Sequence, residues 1–166
     1  MLYFAYGSNL LRRRIEERLG PCSLHGVGWL NVYQLRFHKV SADGSGKCNV
    51  YRTDKMTDRV HGALFDLSFV QKAKLDEFEG PGYDSVAITV QSDFGAHESE
   101  TYIAKPARID QTLIPFDWYK AFVVEGGEEV GLPAEYMSSL RSMRAARDPD
   151  TVRGRKNWSL MGGVQG

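Results

Sequence analysis

The spacing of apolar residues predicts a strand, a turn and a helix within the first twenty positions. The apolar run over residues 2–5 predicts the strand, and Gly7 in the polar segment that follows predicts the turn. Apolar residues then recur every four positions, which places them on one face of a helix. These residues are Leu11, Ile15 and Leu19. The Gly20-Pro21 pair is expected to end this helix.

Apolar and polar residues alternate in several later segments, which predicts half-buried strands. The alternation is regular where Tyr33, Leu35 and Phe37 are separated by polar residues. Two glycines predict a flexible loop over residues 41–47. Further strands are predicted over residues 48–52, 60–67, 83–92 and 101–105.

Three further segments have helical spacing. Ser68 is expected to cap a helix that runs to Phe78, and Pro133 is expected to open a last helix that runs to about residue 146. Between them a helix begins near residue 116, and Gly126-Gly127 interrupts its pattern. The expected buried positions of the first of these helices are Val70, Ala73 and Leu75.

The order of these elements predicts an α+β fold, a small mostly antiparallel β-barrel with flanking helices. Strands do not alternate regularly with helices, which excludes a doubly wound parallel sheet. A chain of 166 residues is long enough for one domain with a buried core. We expect this domain over residues 1–147 and a polar, poorly ordered C-terminal tail over residues 148–166.

Composition and charge exclude several classes of partner. The 21 basic and 21 acidic residues leave no net charge to attract nucleic acid. No apolar run reaches the roughly 18 residues that span a bilayer, so no membrane partner is expected. Met1 leads straight into the first strand, and Cys22 and Cys48 lie far apart, so we expect a reducing, cytoplasmic location. A monomer is the default expectation, with a homodimer as the alternative.

Motifs for phosphate, metal and serine chemistry are incomplete. Residues 44–47 look like part of a phosphate-binding loop, but the flanking positions do not fit. Ser41 stands where that loop needs glycine, and Cys48 stands where it needs serine or threonine. The histidines show no metal-ligand spacing. Ser8 lies outside a nucleophile-elbow motif. No metal and no cofactor are therefore expected.

Two polar segments remain as candidate functional sites. Gly7, just before a helix, predicts a turn whose backbone N–H groups bind an anion beside the positive end of the helix dipole. Further along, three acids crowd the C-terminal end of a helix, where the dipole disfavours negative charge. This crowding favours one carboxyl that holds a proton, as general acid–base catalysis requires. These acids are Asp76, Glu77 and Glu79. An ordinary turn and a solvated acidic helix end are the alternatives.

With these segments in view, the chain resembles the γ-glutamylcyclotransferases and their γ-glutamylamine and AIG2-like relatives. The resemblance spans residues 2 to about 140, in the order that the family has. Each motif alone is weak, whereas the ordered set is specific. The loop over residues 43–49 matches no variant of the family. The matching segments are residues 3–10, 60–65, 75–80, 119–120 and 131–136, together with Tyr83 and Tyr102.

The resemblance implies an enzyme that releases 5-oxoproline from a small-molecule γ-glutamyl substrate, with Glu79 as the catalytic acid and base. It also implies that Tyr102 lies at the pocket. Asn9 stands where the glutathione-specific branch has leucine, which argues against glutathione as the preferred substrate. The substrate-binding residues that the resemblance implies are Tyr6, Gly7, Ser8, Asn9, Leu10, Tyr83 and Tyr119.

Several alternatives remain open at this point. The substrate is a γ-glutamyl amino acid, a γ-glutamylamine or a γ-glutamyl-protected metabolite, and residues 38–58 and 104–117 are expected to decide among them. A non-catalytic small-molecule binding module of the same fold is the alternative from another class. The amides of residues 7–10 hold either the substrate α-carboxylate or the oxyanion of the transition state.

Overall fold

The computed structural model describes residues 1–162, and its centre is a closed five-stranded barrel. The strand order around the barrel is β1-β5-β2-β6-β7, and β3 and β4 pair separately as a hairpin. Neighbouring barrel strands are antiparallel except where β1 and β7 close the barrel in parallel. The strands are β1 Leu2–Ala5, β2 Ser23–Asn31, β3 Tyr33–Val40, β4 Gly46–Arg52, β5 Arg59–Asp66, β6 Tyr83–Ser92 and β7 Gly95–Ala104.

Five α-helices flank the barrel, and the structure confirms the predicted fold class. The helices are α1 Arg12–Leu19, α2 Phe69–Glu79, α3 Asp117–Glu129, α4 Ala134–Ser142 and α5 Thr151–Ser159. Short 3₁₀ turns occupy Ser8–Leu10, Gly80–Gly82 and Pro106–Arg108. Within residues 1–162, no helix combines the length and apolar character that crossing a bilayer requires.

Helix α1 and the Leu11 residue that precedes it bury the predicted apolar stripe, since Leu11, Ile15 and Leu19 are at most 5% exposed. Helix α2 begins as predicted at a Ser68 cap, where the Ser68 hydroxyl and the Gln71 side chain form reciprocal hydrogen bonds. The turn at its end brings the chain from Glu79 directly into β6. The barrel and these two helices therefore fix where residues 6–10 and residue 79 lie.

The prediction of three buried positions in α2 is correct only for Leu75. Val70 is 67% exposed and Ala73 is exposed as well. The inner face instead carries Lys72, whose Nζ lies 2.6 Å from Asp76 Oδ1 and 3.2 Å from Glu100 Oε2. Ion pairing allows a lysine to occupy a place for which apolar spacing predicts a hydrophobic residue.

Gly126 and Gly127 lie inside α3 and do not interrupt it. A Cβ on Gly126 would overlap the backbone of Leu10 and Leu11, and one on Gly127 would lie 2.7 Å from the Met137 sulfur. These glycines therefore permit close packing of α3 against the first turn and against α4. Sequence reasoning assigned them to a break because glycine disfavours helices on propensity alone.

The C-terminal part of the chain differs from the predicted poorly ordered tail. Helix α4 ends at Ser142 instead of residue 146, and α5 follows after a short connection. Asp148 is buried between the two, where it accepts from Trp118 Nε1 at 2.8 Å and from Arg153 Nη2 at 2.6 Å. These long-range partners give order to a segment whose local composition is polar. Residues 163–166 of the predicted tail lie outside the described residues.

Candidate active site

A small pocket opens beside the first turn of the chain. One wall is the turn itself, formed by Tyr6, Gly7, Ser8 and Asn9. Glu79, the last residue of α2, also lines the pocket. The remaining wall residues are Tyr3, Cys48, Tyr83, Tyr102 and Tyr119.

Strand β1 and a 3₁₀ turn create the polar wall of the pocket. The Leu10 N–H donates to Gly7 O at 3.0 Å, and the Leu11 N–H donates to Ser8 O at 3.3 Å. A 3₁₀ turn bonds residues three apart, so the N–H groups of its first residues, Ser8 and Asn9, have no acceptor within the turn. A Cβ on Gly7 would lie 3.0 Å from Cys48 Cβ, which makes the close approach of these two segments dependent on glycine.

Leu10 lies behind the wall and does not line the pocket. Its side chain is fully buried, and its N–H is used within the turn. The structure therefore brings together six of the seven residues for which substrate contact was predicted. It brings Glu79 to the same cavity.

The amide of Asn9 connects Glu79 to the turn. Asn9 Nδ2 donates to Glu79 Oε1 at 3.0 Å and to the Tyr3 hydroxyl at 3.0 Å. Asn9 Oδ1 accepts from Arg18 Nη1 at 2.9 Å. Arg18 also lies 3.4 Å from Glu79 Oε1, and both side chains are 17% exposed. Two partners, Asn9 and Arg18, thus hold the carboxylate at the edge of the pocket.

The acids near the end of α2 do not share one site, in contrast to the predicted crowding. Asp76 accepts from Lys72 Nζ at 2.6 Å and from the Tyr102 hydroxyl at 2.7 Å. Glu77 is exposed. Because α2 turns each successive residue to another face, only Glu79 of the three reaches the cavity.

The tyrosines of the pocket are anchored at their hydroxyls. Tyr6 donates to Tyr102 O, and Tyr83 donates to Cys48 O at 2.7 Å. Tyr119 is different, because its hydroxyl accepts from the Cys48 N–H at 3.2 Å and its own hydrogen has no acceptor among residues 1–162. Burial raises the pKa of the Tyr119 hydroxyl well above its ordinary value, so it remains a donor at neutral pH.

Cys48 lies in the pocket wall but is unsuited to covalent catalysis. Burial raises the pKa of its thiol to about 12. The thiolate is the nucleophilic form of cysteine, and at neutral pH almost none of it is present at this position.

Arg14 places positive charge behind the turn. Its Nε donates to Ser8 Oγ at 3.0 Å, and its guanidinium lies 4.7 Å from the centre of the Phe122 ring. Burial and then the neighbouring Arg18 lower the pKa of Arg14 to about 10, which still leaves it charged at neutral pH. Since the Ser8 oxygen accepts from Arg14, the Ser8 O–H is available to donate elsewhere.

Sequence reasoning missed four residues of this site: Tyr3, Arg14, Arg18 and Cys48. Arg14 and Arg18 are four residues apart, which places them on one face of α1. Their proximity to each other could therefore have been predicted from the sequence. Tyr3 and Cys48 enter the pocket through barrel closure and through the β3–β4 hairpin. No local pattern marks such long-range approaches.

Comparison with known proteins agrees with this fold. The model of the AIG2-like family matches residues 59–140. The γ-glutamylcyclotransferase of Bos taurus is 27% identical over 168 residues, which cover 93% of this chain and 82% of the relative. The γ-glutamylcyclotransferase of Homo sapiens is 26% identical and covers 86% of this chain and 78% of the relative.

The solved structure of a γ-glutamyl cyclotransferase matches over nearly the whole chain. The two have a TM-score of 0.85 at 25% identity, with 98% of this chain and 99% of that chain covered. Fold and pocket together define a small barrel protein with a polar pocket. The chain is similar in sequence and fold to the γ-glutamylcyclotransferases and the AIG2-like family, and these similarities support an enzyme of the cyclotransferase type.

Proposed function

We propose that the protein cleaves a γ-glutamyl amide by attack of the substrate's own α-amine on the γ-carbonyl, which releases 5-oxoproline and a free amine. The observation that carries this proposal is the position of Glu79. Its carboxylate shares one cavity with the turn at Gly7, Ser8 and Asn9 and is hydrogen-bonded to that turn. A base and a set of N–H donors that line one small cavity suit an intramolecular acyl transfer.

The proposed reaction needs no nucleophile from the protein. The α-amine and the γ-carbonyl belong to one molecule, so holding the substrate folded supplies most of the entropic advantage. The new bond joins the α-nitrogen to the γ-carbon and closes a five-membered ring. The bond that breaks joins the γ-carbon to the leaving nitrogen.

Glu79 is proposed to carry the protons. The α-ammonium and the amide nitrogen hold four hydrogens in the substrate, whereas the products hold one on the lactam nitrogen and three on the leaving ammonium. Two protons therefore pass from the α-nitrogen to the leaving nitrogen. One carboxylate that takes a proton and returns it accounts for each transfer.

The turn is proposed to bind the negative charge of the substrate. The N–H groups of Ser8 and Asn9, the Ser8 O–H and the Tyr119 O–H are donors at the cavity. Arg14 adds positive charge behind them. These groups serve either the α-carboxylate or the oxyanion that forms on the γ-carbonyl, as in other sites built on backbone donors.

A panel of synthetic γ-glutamyl amides tests the proposal. Purified protein is incubated with γ-glutamyl amino acids, a γ-glutamylamine and glutathione, and 5-oxoproline is measured by mass. We expect stoichiometric 5-oxoproline and free amine from at least one compound other than glutathione. Binding of the compounds without any 5-oxoproline would instead support a non-catalytic binding module.

A further inference from the structure

A second, open groove adjoins the pocket at Glu79. Glu79 lines both cavities. The two side chains of the groove that carry positive charge are Lys39 and Arg108. In the proposed reaction Glu79 delivers a proton to the leaving nitrogen, so the scissile amide lies at Glu79. The half of the substrate that leaves therefore has this groove as the cavity next to it.

Backbone pairing fixes the positions of the two cations. Lys39 on β3 forms an antiparallel bridge with Ile109, and the Asp110 N–H donates to His38 O at 2.8 Å. These bonds hold the segment that carries Arg108 beside Lys39. The backbone bridge between Lys39 and Ile109 therefore places the Arg108 side chain near the Lys39 side chain.

Both cations also converge on Gly82. A Cβ at Gly82 would lie 2.9 Å from Lys39 Cε, 3.1 Å from Lys39 Nζ and 3.9 Å from Arg108 Cγ. The Lys39 ammonium lies 4.6 Å from the centre of the Tyr83 ring, which holds it over the groove. The absence of a side chain at position 82 thus leaves room for the Lys39 ammonium and for the stem of Arg108.

The charge of these groups is not neutralised by the acids nearby. Asp43 pairs with Lys47 at 2.7 Å, and Asp84 pairs with Lys105 at 3.5 Å. Among residues 1–162, Lys39 and Arg108 form no ion pair. Glu79, the acid that lines the groove, pairs with Arg18 at 3.4 Å.

The electrostatics of Lys39 agree with this geometry. Burial lowers the pKa of its ammonium, Glu79 acts in the opposite direction, and Arg108 lowers it further. Lys39 is thus close enough to interact electrostatically with both the Glu79 carboxylate and the Arg108 guanidinium. Two positive groups in a partly enclosed groove favour a ligand with two negative groups.

We propose that this groove binds the leaving half of the substrate and selects an acidic amino acid, whose two carboxylates face Lys39 and Arg108. The preferred substrate class is then the γ-glutamyl amide of a dicarboxylic amino acid. This inference rests on the proposed function, and the bonds made and broken are the same. The leaving group departs as a free acidic amino acid with a protonated amine.

A matched pair of substrates tests the inference. γ-Glutamyl-glutamate and γ-glutamyl-glutamine have nearly the same size and differ by one negative charge. We expect wild-type kcat/KM to be about tenfold higher for the glutamate compound, mainly through a lower KM, because a charged hydrogen-bonded contact is worth about this factor. Added salt should reduce the difference.

Variants of the two cations separate charge from packing. Lys39→Met keeps the stem over Tyr83, and Arg108→Gln keeps a polar side chain. The variant that loses the cation facing the side-chain carboxylate should remove most of the preference for γ-glutamyl-glutamate, and the variant that loses the cation facing the α-carboxylate should lower kcat/KM for both compounds. Gly82→Ala displaces the Lys39 ammonium without removing its charge and should act in the same direction as Lys39→Met. Lys74→Ala and Arg155→Ala, at exposed positions outside both cavities, are the matched controls.

The outcomes distinguish the inference from the function on which it rests. Equal kcat/KM for the two compounds, or a preference that survives both Lys39→Met and Arg108→Gln, would overturn the inference and leave the function intact. If no γ-glutamyl compound yields 5-oxoproline, the proposed function fails and the inference fails with it.

Discussion

At the scale of single residues, the side-chain amide of Asn9 joins three polar groups of the pocket. Arg18 can only donate, so the Asn9 oxygen faces Arg18 and the NH₂ group faces Glu79 and Tyr3. This arrangement determines which way the amide points. It also means that the polar groups around Glu79 satisfy one another before a substrate enters.

Tyr83 and Tyr119 both line the pocket, but their hydroxyl hydrogens differ in whether they are already bonded. The Tyr83 hydroxyl donates its hydrogen to Cys48 O, whereas the Tyr119 hydroxyl hydrogen is available to a ligand. We expect Tyr119→Phe to lower kcat/KM by about tenfold, the value of one neutral hydrogen bond. Tyr83→Phe is the matched control and should change kcat/KM by less than about threefold.

Steady-state kinetics on one γ-glutamyl substrate decides this comparison, with far-ultraviolet circular dichroism to confirm that both variants fold. A larger loss for Tyr83→Phe than for Tyr119→Phe would show that the Tyr119 hydroxyl does not contact the substrate. The ligand contacts of the pocket would then need to be reassigned.

At the scale of helices, two glycines in similar settings should respond oppositely to alanine. Gly126→Ala should destabilise the protein by about 2 kcal/mol or more, because the new Cβ overlaps the Leu10–Leu11 backbone. Gly154 in α5 has only Asp148 Cβ nearby, at 3.7 Å, so Gly154→Ala should stabilise by about 0.5–1 kcal/mol through helix propensity.

Urea denaturation of the two variants and the wild type measures both free energies of unfolding. If Gly126→Ala also stabilised the protein, α3 would not pack against the first turn as closely as the structure shows. The support that α3 gives to the pocket wall would then be in doubt.

Asp148 docks α5 against α3, and its charge gives a pH prediction. The ion pair with Arg153 lowers the pKa of Asp148 from 3.8 to about 2. A lowered folded-state pKa means that this stabilisation is fully present above the unfolded pKa and is lost as pH falls through 3.8 toward about 2. Asp148→Asn should therefore cost about 2 kcal/mol at neutral pH and much less near pH 2.

The free energy of unfolding of the wild type and Asp148→Asn, measured at several pH values, checks this prediction. Asp93→Asn removes an exposed carboxylate and should change the stability by less than about 0.5 kcal/mol at every pH. A cost of Asp148→Asn that stays constant with pH would exclude the ion pair as its cause.

At the scale of the whole molecule, the barrel and the polar turn were predictable from local patterns. The alternation in β6 and the stripe of Leu11, Ile15 and Leu19 depend on neighbouring residues, so the sequence displays them directly. The resemblance then linked Glu79 to the turn across about seventy residues.

What the sequence could not display depends on contacts between distant segments. Helix α5 is ordered by Asp148, which joins Trp118 and Arg153, and the cationic groove depends on the bridge between Lys39 and Ile109. Cys48 reaches the pocket through the hairpin that sequence reasoning treated in part as a flexible loop. The cytoplasmic location, the monomeric state and the domain boundary at residue 147 stay predictions.

The role of Glu79 is tested most directly by the kcat of two glutamine variants on one γ-glutamyl substrate. Glu79→Gln keeps the shape of the side chain but removes the proton carrier, so kcat should fall by about 10²- to 10⁴-fold. Glu77→Gln, at an exposed position on the same helix, should keep the wild-type kcat. A Glu79→Gln enzyme that releases 5-oxoproline within about threefold of the wild-type rate would contradict the proposed mechanism.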